Sequence, residues 1–209
     1  MTTPTAELLV AETHRSCRVL GPGDRYGLWV QGCPLRCAGC VSPQWLPSTG
    51  GERVAVDALA REILEFAVDG LTVSGGEPFA QAAGLVALIH QIRDDRDLSV
   101  CCYTGYTLEG LRRGDPAQRE LLGLVDLLID GPYVSSRHAP LRWRASTNQR
   151  LHVLSDRHLD VLAEPDDPAG LQIEIGPGGD VQWLGVPHTP GFREALAGAA
   201  GLVEARDRR

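Results

Sequence analysis

Three cysteines within eight residues carry the strongest chemical signal in the chain. They are Cys33-Pro-Leu-Arg-Cys37-Ala-Gly-Cys40, a C-x3-C-x2-C spacing. Three thiolates held this closely repel one another unless a metal centre takes up their charge, and an iron–sulfur cluster is held by cysteine thiolates in this way. A [4Fe-4S] cube on three cysteines leaves one iron without a protein ligand, open to bind and reduce a small molecule. Zinc is the alternative on spacing alone. It takes four ligands; the loop offers three, and Cys17 is the candidate fourth. Cys101 and Cys102 lie in an apolar run and read as buried core thiols. The six histidines show no metal-ligand spacing.

Composition narrows the setting for this loop. The chain has 209 residues, 43% hydrophobic and 22% charged, the profile of a globular protein. A net charge of −7 argues against a general binder of nucleic acid or anionic membranes, which needs a basic surface. Every basic residue is an arginine, so Schiff-base lysine chemistry is excluded. No apolar run reaches the roughly 18 residues of a membrane span, and Met1 to Glu7 has no secretory pattern. The expected location is cytoplasmic, where thiols stay reduced, so metal binding or catalysis outranks disulfides.

The elements that must position the loop read as βα units. Arg25 to Gly32 is a strand running straight into Cys33. A helix over about 57–67 follows, with Asp57 as N-cap and Leu59, Ile63, Leu64 and Ala67 on one face. Leu71 to Ser74 is a strand ending at Gly75-Gly76, and a second helix covers about 80–92. Leu98 to Tyr103 is a strand ending at Thr104-Gly105; a helical stretch lies near 118–124; Val125 to Ile129 is a strand ending at Asp130-Gly131. The strands are continuously apolar, as in a parallel sheet covered on both faces. Ligands of such sheets bind at the C-terminal strand ends, so these loops are expected to converge. A boundary is expected near 155–168, where Glu164-Pro-Asp-Asp-Pro168 reads as a turn. Beyond it, 171–175 and 181–184 read as a β-hairpin and about 192–204 as a helix. Trp183 reads as core.

Six ordered motifs together resemble the radical S-adenosylmethionine (SAM) superfamily, and within it the activating proteins of anaerobic ribonucleotide reductase. They are Gly21-Pro-Gly-Asp-Arg25, Trp29-Val-Gln-Gly-Cys33 with Cys37-Ala-Gly-Cys40, Ser74-Gly-Gly-Glu-Pro78, Tyr103-Thr-Gly-Tyr106, Leu128-Ile-Asp-Gly-Pro-Tyr133, and Arg142-Trp-Arg-Ala-Ser-Thr-Asn-Gln149. The resemblance implies a partial (β/α) barrel over residues 1–155, with residues 156–209 as a hairpin-plus-helix extension. It also implies a [4Fe-4S] cluster on Cys33, Cys37 and Cys40, and SAM chelated at the open iron. One electron from the cluster then breaks the C5′–S bond, and the 5′-deoxyadenosyl radical takes a hydrogen atom. By the same resemblance, Gly75, Gly76, Glu77 and Pro78 form a SAM-binding turn, although that segment alone reads as a tight strand-to-helix turn. Thr104 and Asp130 correspond to positions that help hold a cation near the SAM carboxylate in a related group; capping of the turn before Gly131-Pro132 is the other reading of Asp130. Asn148, with Gln149 and Arg142, Arg144 and Arg150, corresponds to a segment facing SAM or a partner, or forms a solvated strand.

Departures from the pattern keep the substrate open. Val41-Ser42 replaces an aromatic-asparagine pair, Tyr103 stands where the related group carries an acid, Ala145 replaces a glycine, and about sixty residues follow Gln149. Three readings stand: a glycyl-radical activase served by flavodoxin or ferredoxin, a small radical SAM enzyme acting on another peptide or metabolite, and a non-enzymatic iron–sulfur or zinc protein.

Overall fold

In the computed structural model the described residues are 6–177, 181–189, 191–192 and 195. The helix expected at about 192–204 lies outside them but for Phe192 and Ala195, as does the tip of the hairpin turn. In chain order the elements are β1 (Glu7–Cys17), β2 (Arg25–Val30), β3 (Glu52–Ala55), α1 (Val56–Leu64), β4 (Gly70–Gly75), α2 (Ala82–Asp95), β5 (Ser99–Tyr103), α3 (Leu108–Leu111), α4 (Pro116–Leu124), β6 (Leu127–Asp130), β7 (His138–Leu141), β8 (Arg144–Ser146), β9 (Arg150–Val153), β10 (Leu171–Ile175) and β11 (Val181–Gly185). Among the described residues no helix is long and apolar enough to cross a membrane.

A seven-stranded sheet runs in the order β3-β1-β2-β4-β5-β6-β9. The centre, β2-β4-β5-β6, is parallel as expected. Both flanks are antiparallel: β1 against β2 and β3, and β9 against β6. The sheet is therefore mixed and open, with β3 and β9 at its edges, and it does not close into a barrel. Strands β1 and β3 are additions to the sequence reading; β1 carries polar residues (Glu12, Thr13, His14, Arg15) that hide its strand character. Helix α1 starts one residue before Asp57, with Ala55 at its N-cap and no side-chain cap, and it stops at Leu64, leaving Ala67 outside. Pro116 opens α4 behind a reciprocal Asp115–Gln118 capping box.

Strand alternation divides the side chains between two faces. Tyr26, Leu28, Val30, Leu71, Val73, Val100, Cys102 and Leu128 join the core formed with α1, α2 and α4. Trp29, Cys101, Leu127 and Ile129 point to the other face. There the covering comes from the C-terminal segments, through Trp143, Val161 and Leu184. Cys101 and Cys102 are fully buried, in agreement with their reading as core thiols; burial pushes the Cys101 thiol up to about 11.

One cation underpins this second face. Arg25, at the start of β2, is fully buried and is held by neutral acceptors. Its Nε donates to Thr72 Oγ1 (2.6 Å), Nη1 to Pro22 O and Ser99 Oγ (both 3.0 Å), and Nη2 to Leu71 O (2.8 Å) and Ser99 O (3.0 Å). It crosslinks the N-terminal ends of β2, β4 and β5. Removing it strands buried acceptors, each costing about 1–3 kcal/mol. Arg25→Ala is expected to destabilise the protein by more than about 3 kcal/mol, measured by urea unfolding of cluster-free protein. An effect below about 1 kcal/mol sinks this assignment.

Candidate functional site

The expected convergence of loops is present at the C-terminal strand ends. The turn after β4 packs directly on the chain leaving β2: Gly76 N donates to Val30 O (2.7 Å) and Glu77 N to Gly32 O (2.9 Å). A Cβ on Gly76 would lie 2.2 Å from Gly32 O, so only glycine permits this approach. Thr104 N, after β5, donates to Ile129 O of β6 (2.9 Å), and Gly131 N donates to Tyr106 O (2.9 Å). The four parallel strands are thus stitched together one residue beyond their ends.

Glu77 is the knot. Its side chain is 1% exposed. Oε1 accepts from Thr104 Oγ1 (2.8 Å) and Phe79 N (3.0 Å), and Oε2 accepts from Gly105 N (2.9 Å). Burial pushes its carboxyl up to about 7, against the lowering by these hydrogen bonds. Thr104 Oγ1 also accepts from Tyr106 N (3.1 Å), so Thr104 is spent on the turn.

The cysteine loop lies across these ends. Leu35, between Cys33 and Cys37, rests on Gly105, where a Cβ would meet its Cδ1 at 2.4 Å. Gly39 abuts Ser135, past β6. Arg36 takes a left-handed φ of 47°, a strained conformation for a non-glycine residue. Cys33, Cys37 and Cys40 form no disulfide and are partly exposed. Burial and the neighbouring Cys33 push the Cys37 thiol up, which is the crowding of thiolates expected from their spacing.

Cys17 does not join them. It is fully buried and pairs with Arg25 at the far end of β2, five strand steps or roughly 17 Å before the strand's exit toward Cys33. The zinc site completed by Cys17 is overturned on this geometry. Among the described residues, no three His, Cys, Asp or Glu side chains gather as a single metal ion requires. An iron–sulfur cluster takes its cysteine thiolates on separate iron atoms, so Cys33, Cys37 and Cys40 stay its candidate ligands.

Asp130 is fully buried at the end of β6. Its Oδ2 accepts from Leu108 N (2.6 Å) and Arg150 Nη2 (2.5 Å), and Oδ1 accepts from Arg150 Nε (2.9 Å) with His152 Nε2 at 3.1 Å. Burial raises its carboxyl, but the bonds from Arg150 and Leu108 outweigh it and hold it below the usual range. Both oxygens are engaged by Leu108 of α3 and by Arg150 and His152 of β9, and not by the turn at Gly131-Pro132 that the capping reading names. Arg150 also pairs with Glu109 (2.7 Å), Arg142 with Glu164 (2.6 Å), and Arg144 with Asp166. Arg142 and Arg144 are largely buried in these pairs, whereas Arg150 stays exposed on β9. Asn148 Nδ2 donates to Pro132 O (2.7 Å), while its Oδ1 is buried without a partner. The Asn148 side-chain amide lies beside Gly131, its Nδ2 3.9 Å from where a Cβ there would stand.

Sequence reasoning missed one feature. A cavity of about 130 Å3 lies between the cysteine loop, the strand ends and the C-terminal hairpin. Trp183, read as core, lines it. The signal available was the strand parity that puts Trp29, Ser74 and Tyr103 on one face.

Comparisons with known proteins bear on this geometry. Residues 19–152 match the family described as a 4Fe-4S single cluster domain. The anaerobic ribonucleoside-triphosphate reductase-activating protein of Vibrio cholerae is 32% identical over 143 residues, covering 64% of this chain and 90% of that protein. Its Haemophilus influenzae counterpart is 34% identical over 143 residues, covering 63% and 89%. The Escherichia coli K12 counterpart is 31% identical over 147 residues, covering 65% and 92%. Among solved structures, QueE from Escherichia coli aligns with a TM-score of 0.43 at 17% identity, over 48% of this chain and 53% of that one. With the matched segment spanning β2 to β9 and holding the whole cysteine loop and its strand-end supports, the chain belongs to the 4Fe-4S single cluster domain family and, within it, with the anaerobic ribonucleoside-triphosphate reductase-activating proteins.

Proposed function

We propose that this chain is a radical SAM enzyme that activates a glycyl-radical enzyme of the anaerobic ribonucleotide reductase kind. The observation that carries the reading is the direct backbone packing of the Gly75-Gly76-Glu77 turn on the chain leading into Cys33. It sets a three-thiol loop and a glycine turn side by side, which is what joint binding of a cluster and a small zwitterion requires. The relatives' printed name supplies the partner class.

In this reading Cys33, Cys37 and Cys40 hold a [4Fe-4S] cluster, which when bound supplies the electron that splits SAM into methionine and a 5′-deoxyadenosyl radical. Gly75 and Gly76 bring backbone close to the SAM amino group, with Pro78 ending the turn. Glu77 and Thr104 are positioning residues that fix this turn to β5. Asp130 with Arg150 fixes the loop after β6, and Asn148 Oδ1 is the acceptor left for a donor on the cofactor. Flavodoxin or ferredoxin is the proposed reductant. Reading the open sheet as a partial barrel belongs to the same proposal, as does the division at residue 155.

Two outcomes check the ligand set. Cys37→Ala protein reconstituted anaerobically is expected to lose most of its cluster iron and all 5′-deoxyadenosine formation with SAM and dithionite. Cys101→Ala is expected to retain its iron and sulfide. Normal iron in the first variant, or lost iron in the second, refutes the assignment. Addition of a candidate glycyl-radical partner should then yield a glycyl radical detectable by electron paramagnetic resonance.

The Glu77 carboxyl generates a pH prediction. Its folded-state pKa is raised from 4.5 to about 7, so between these values the native protein holds a proton that the unfolded chain has released. Stability from this group is full below pH 4.5 and is lost as pH rises through 7. Glu77→Gln lacks this dependence. The urea-unfolding free energy of cluster-free wild type is therefore expected to fall relative to Glu77→Gln by on the order of 3 kcal/mol between pH 4.5 and 8. A constant difference across that window contradicts it.

A further inference from the structure

All four tryptophans of the chain, Trp29, Trp45, Trp143 and Trp183, line the cavity of about 130 Å3 beside the cysteine loop, and Tyr103 and Tyr133 add two more rings. Ser74, directly before the glycine turn, and Val41 and Ser42, directly after Cys40, also border it. The cavity therefore touches both halves of the candidate site. It lies on the sheet face opposite α1, α2 and α4, where Trp29 packs with Trp45 at a centroid distance of 6.0 Å and a tilt of 38°.

We propose that this cavity is a substrate subsite that takes one aromatic side chain, a phenol by preference. The inference rests on the activating-enzyme reading and gives its substrate a chemical class. Size is the first argument: an apolar protein cavity of about 150 Å3 binds benzene, so this one accommodates a single ring. Lining is the second: ring-to-ring contacts in edge or offset geometry add about 0.5–1.5 kcal/mol beyond burial. The third is polar. The Tyr103 hydroxyl is buried without a hydrogen-bond partner, and a buried hydroxyl left unpaired costs about 1–3 kcal/mol. A ring bearing its own hydroxyl satisfies it.

The wall that completes the cavity lies outside the family match, which ends at residue 152. It is the hairpin β10–β11, through Trp183, Leu184 and Gly185. This hairpin is fastened to β1 and the residue after it. Gln172 Nε2 donates to Ser16 O (2.8 Å), Arg18 N donates to Gln172 Oε1 (3.1 Å), Gln182 Nε2 donates to Glu12 Oε1 (2.5 Å), and His14 Nε2 lies 3.1 Å from Glu174 Oε2. Leu184 is buried beside Trp29 and Trp45. The fastened hairpin thus supplies one wall of the cavity.

The test titrates N-acetyl-3-fluoro-L-tyrosinamide into the full-length, cluster-reconstituted protein without SAM and reads its fluorine NMR line. Saturable broadening is expected for wild type. Binding is expected to weaken about tenfold or more in Trp183→Ala and in Ala145→Leu, which adds bulk to a lining residue of the cavity. Tyr103→Phe should weaken the tyrosinamide while sparing the matching fluoro-phenylalaninamide. Unsaturable binding, or equal binding by wild type and both cavity variants, overturns the proposal. Displacement of the probe by adenosine also overturns it, because the slot then belongs to the cosubstrate's adenine. Failure of wild type to cleave SAM, with probe binding intact, overturns the activating-enzyme reading and leaves the ring site standing.

Discussion

Backbone contact without side chains, between the turn after β4 and the segment leaving β2, is the constraint on which the site depends. Gly76 N reaches Val30 O and Glu77 N reaches Gly32 O because no Cβ stands between them. Parallel strands end in ragged orphan carbonyls, and buried backbone groups of that kind demand partners. Here each strand's exit satisfies its neighbour's. The Glu77 carboxylate extends the scheme one strand further, to Thr104 and Gly105. Leu35 can then lie on Gly105, and the cysteine loop inherits its position from the strand ends beneath it.

The two faces of the sheet are built differently, and the cavity follows from the difference. Helices α1, α2 and α4 give one face close-packed aliphatic contact. The other face is covered by segments that come last in the chain, and large rigid rings dominate there. Indole rings interdigitate less completely than Leu and Ile, since their planar shape prefers tilted or edge contacts. A gap lined by Trp29, Trp45, Trp143 and Trp183 is a natural result. Arg25 supports the same face from the opposite strand ends without a carboxylate partner, its charge spread over five neutral acceptors.

The central strands β2, β4, β5 and β6 were legible because they are buried on both faces and therefore continuously apolar. The hairpin was legible from the alternation of Leu171-Gln-Ile-Glu-Ile around a glycine-rich turn. β1 was not, since Thr13, His14 and Arg15 follow no two-residue period and its burial is set by two different antiparallel partners. The helix boundaries slipped because Asp57 looked like a cap while the chain reached the helix directly from β3. At the site, the cysteines and the glycine turn were legible as types at a spacing. The partners of Asp130 were not, because Arg150 and Leu108 reach it through strand pairing and a loop, with no local pattern to announce them.

Two buried acids at the strand ends show how burial and partner chemistry together decide charge. Glu77 and Asp130 are equally hidden from solvent. Glu77 receives only neutral donors, Thr104, Gly105 and Phe79, and its carboxyl rises to about 7. Asp130 receives the Arg150 guanidinium and stays below the usual range. The placement matters because Glu77 acts on the thiol loop: its charge is among the influences that push Cys37 up. A centre built on three thiolates is itself anionic, and an uncompensated carboxylate beside it raises the cost of loading. By keeping Glu77 among neutral donors, and by matching Asp130 with a guanidinium that Glu109 also holds in place, the fold limits negative charge at the place where the thiolates must concentrate their own.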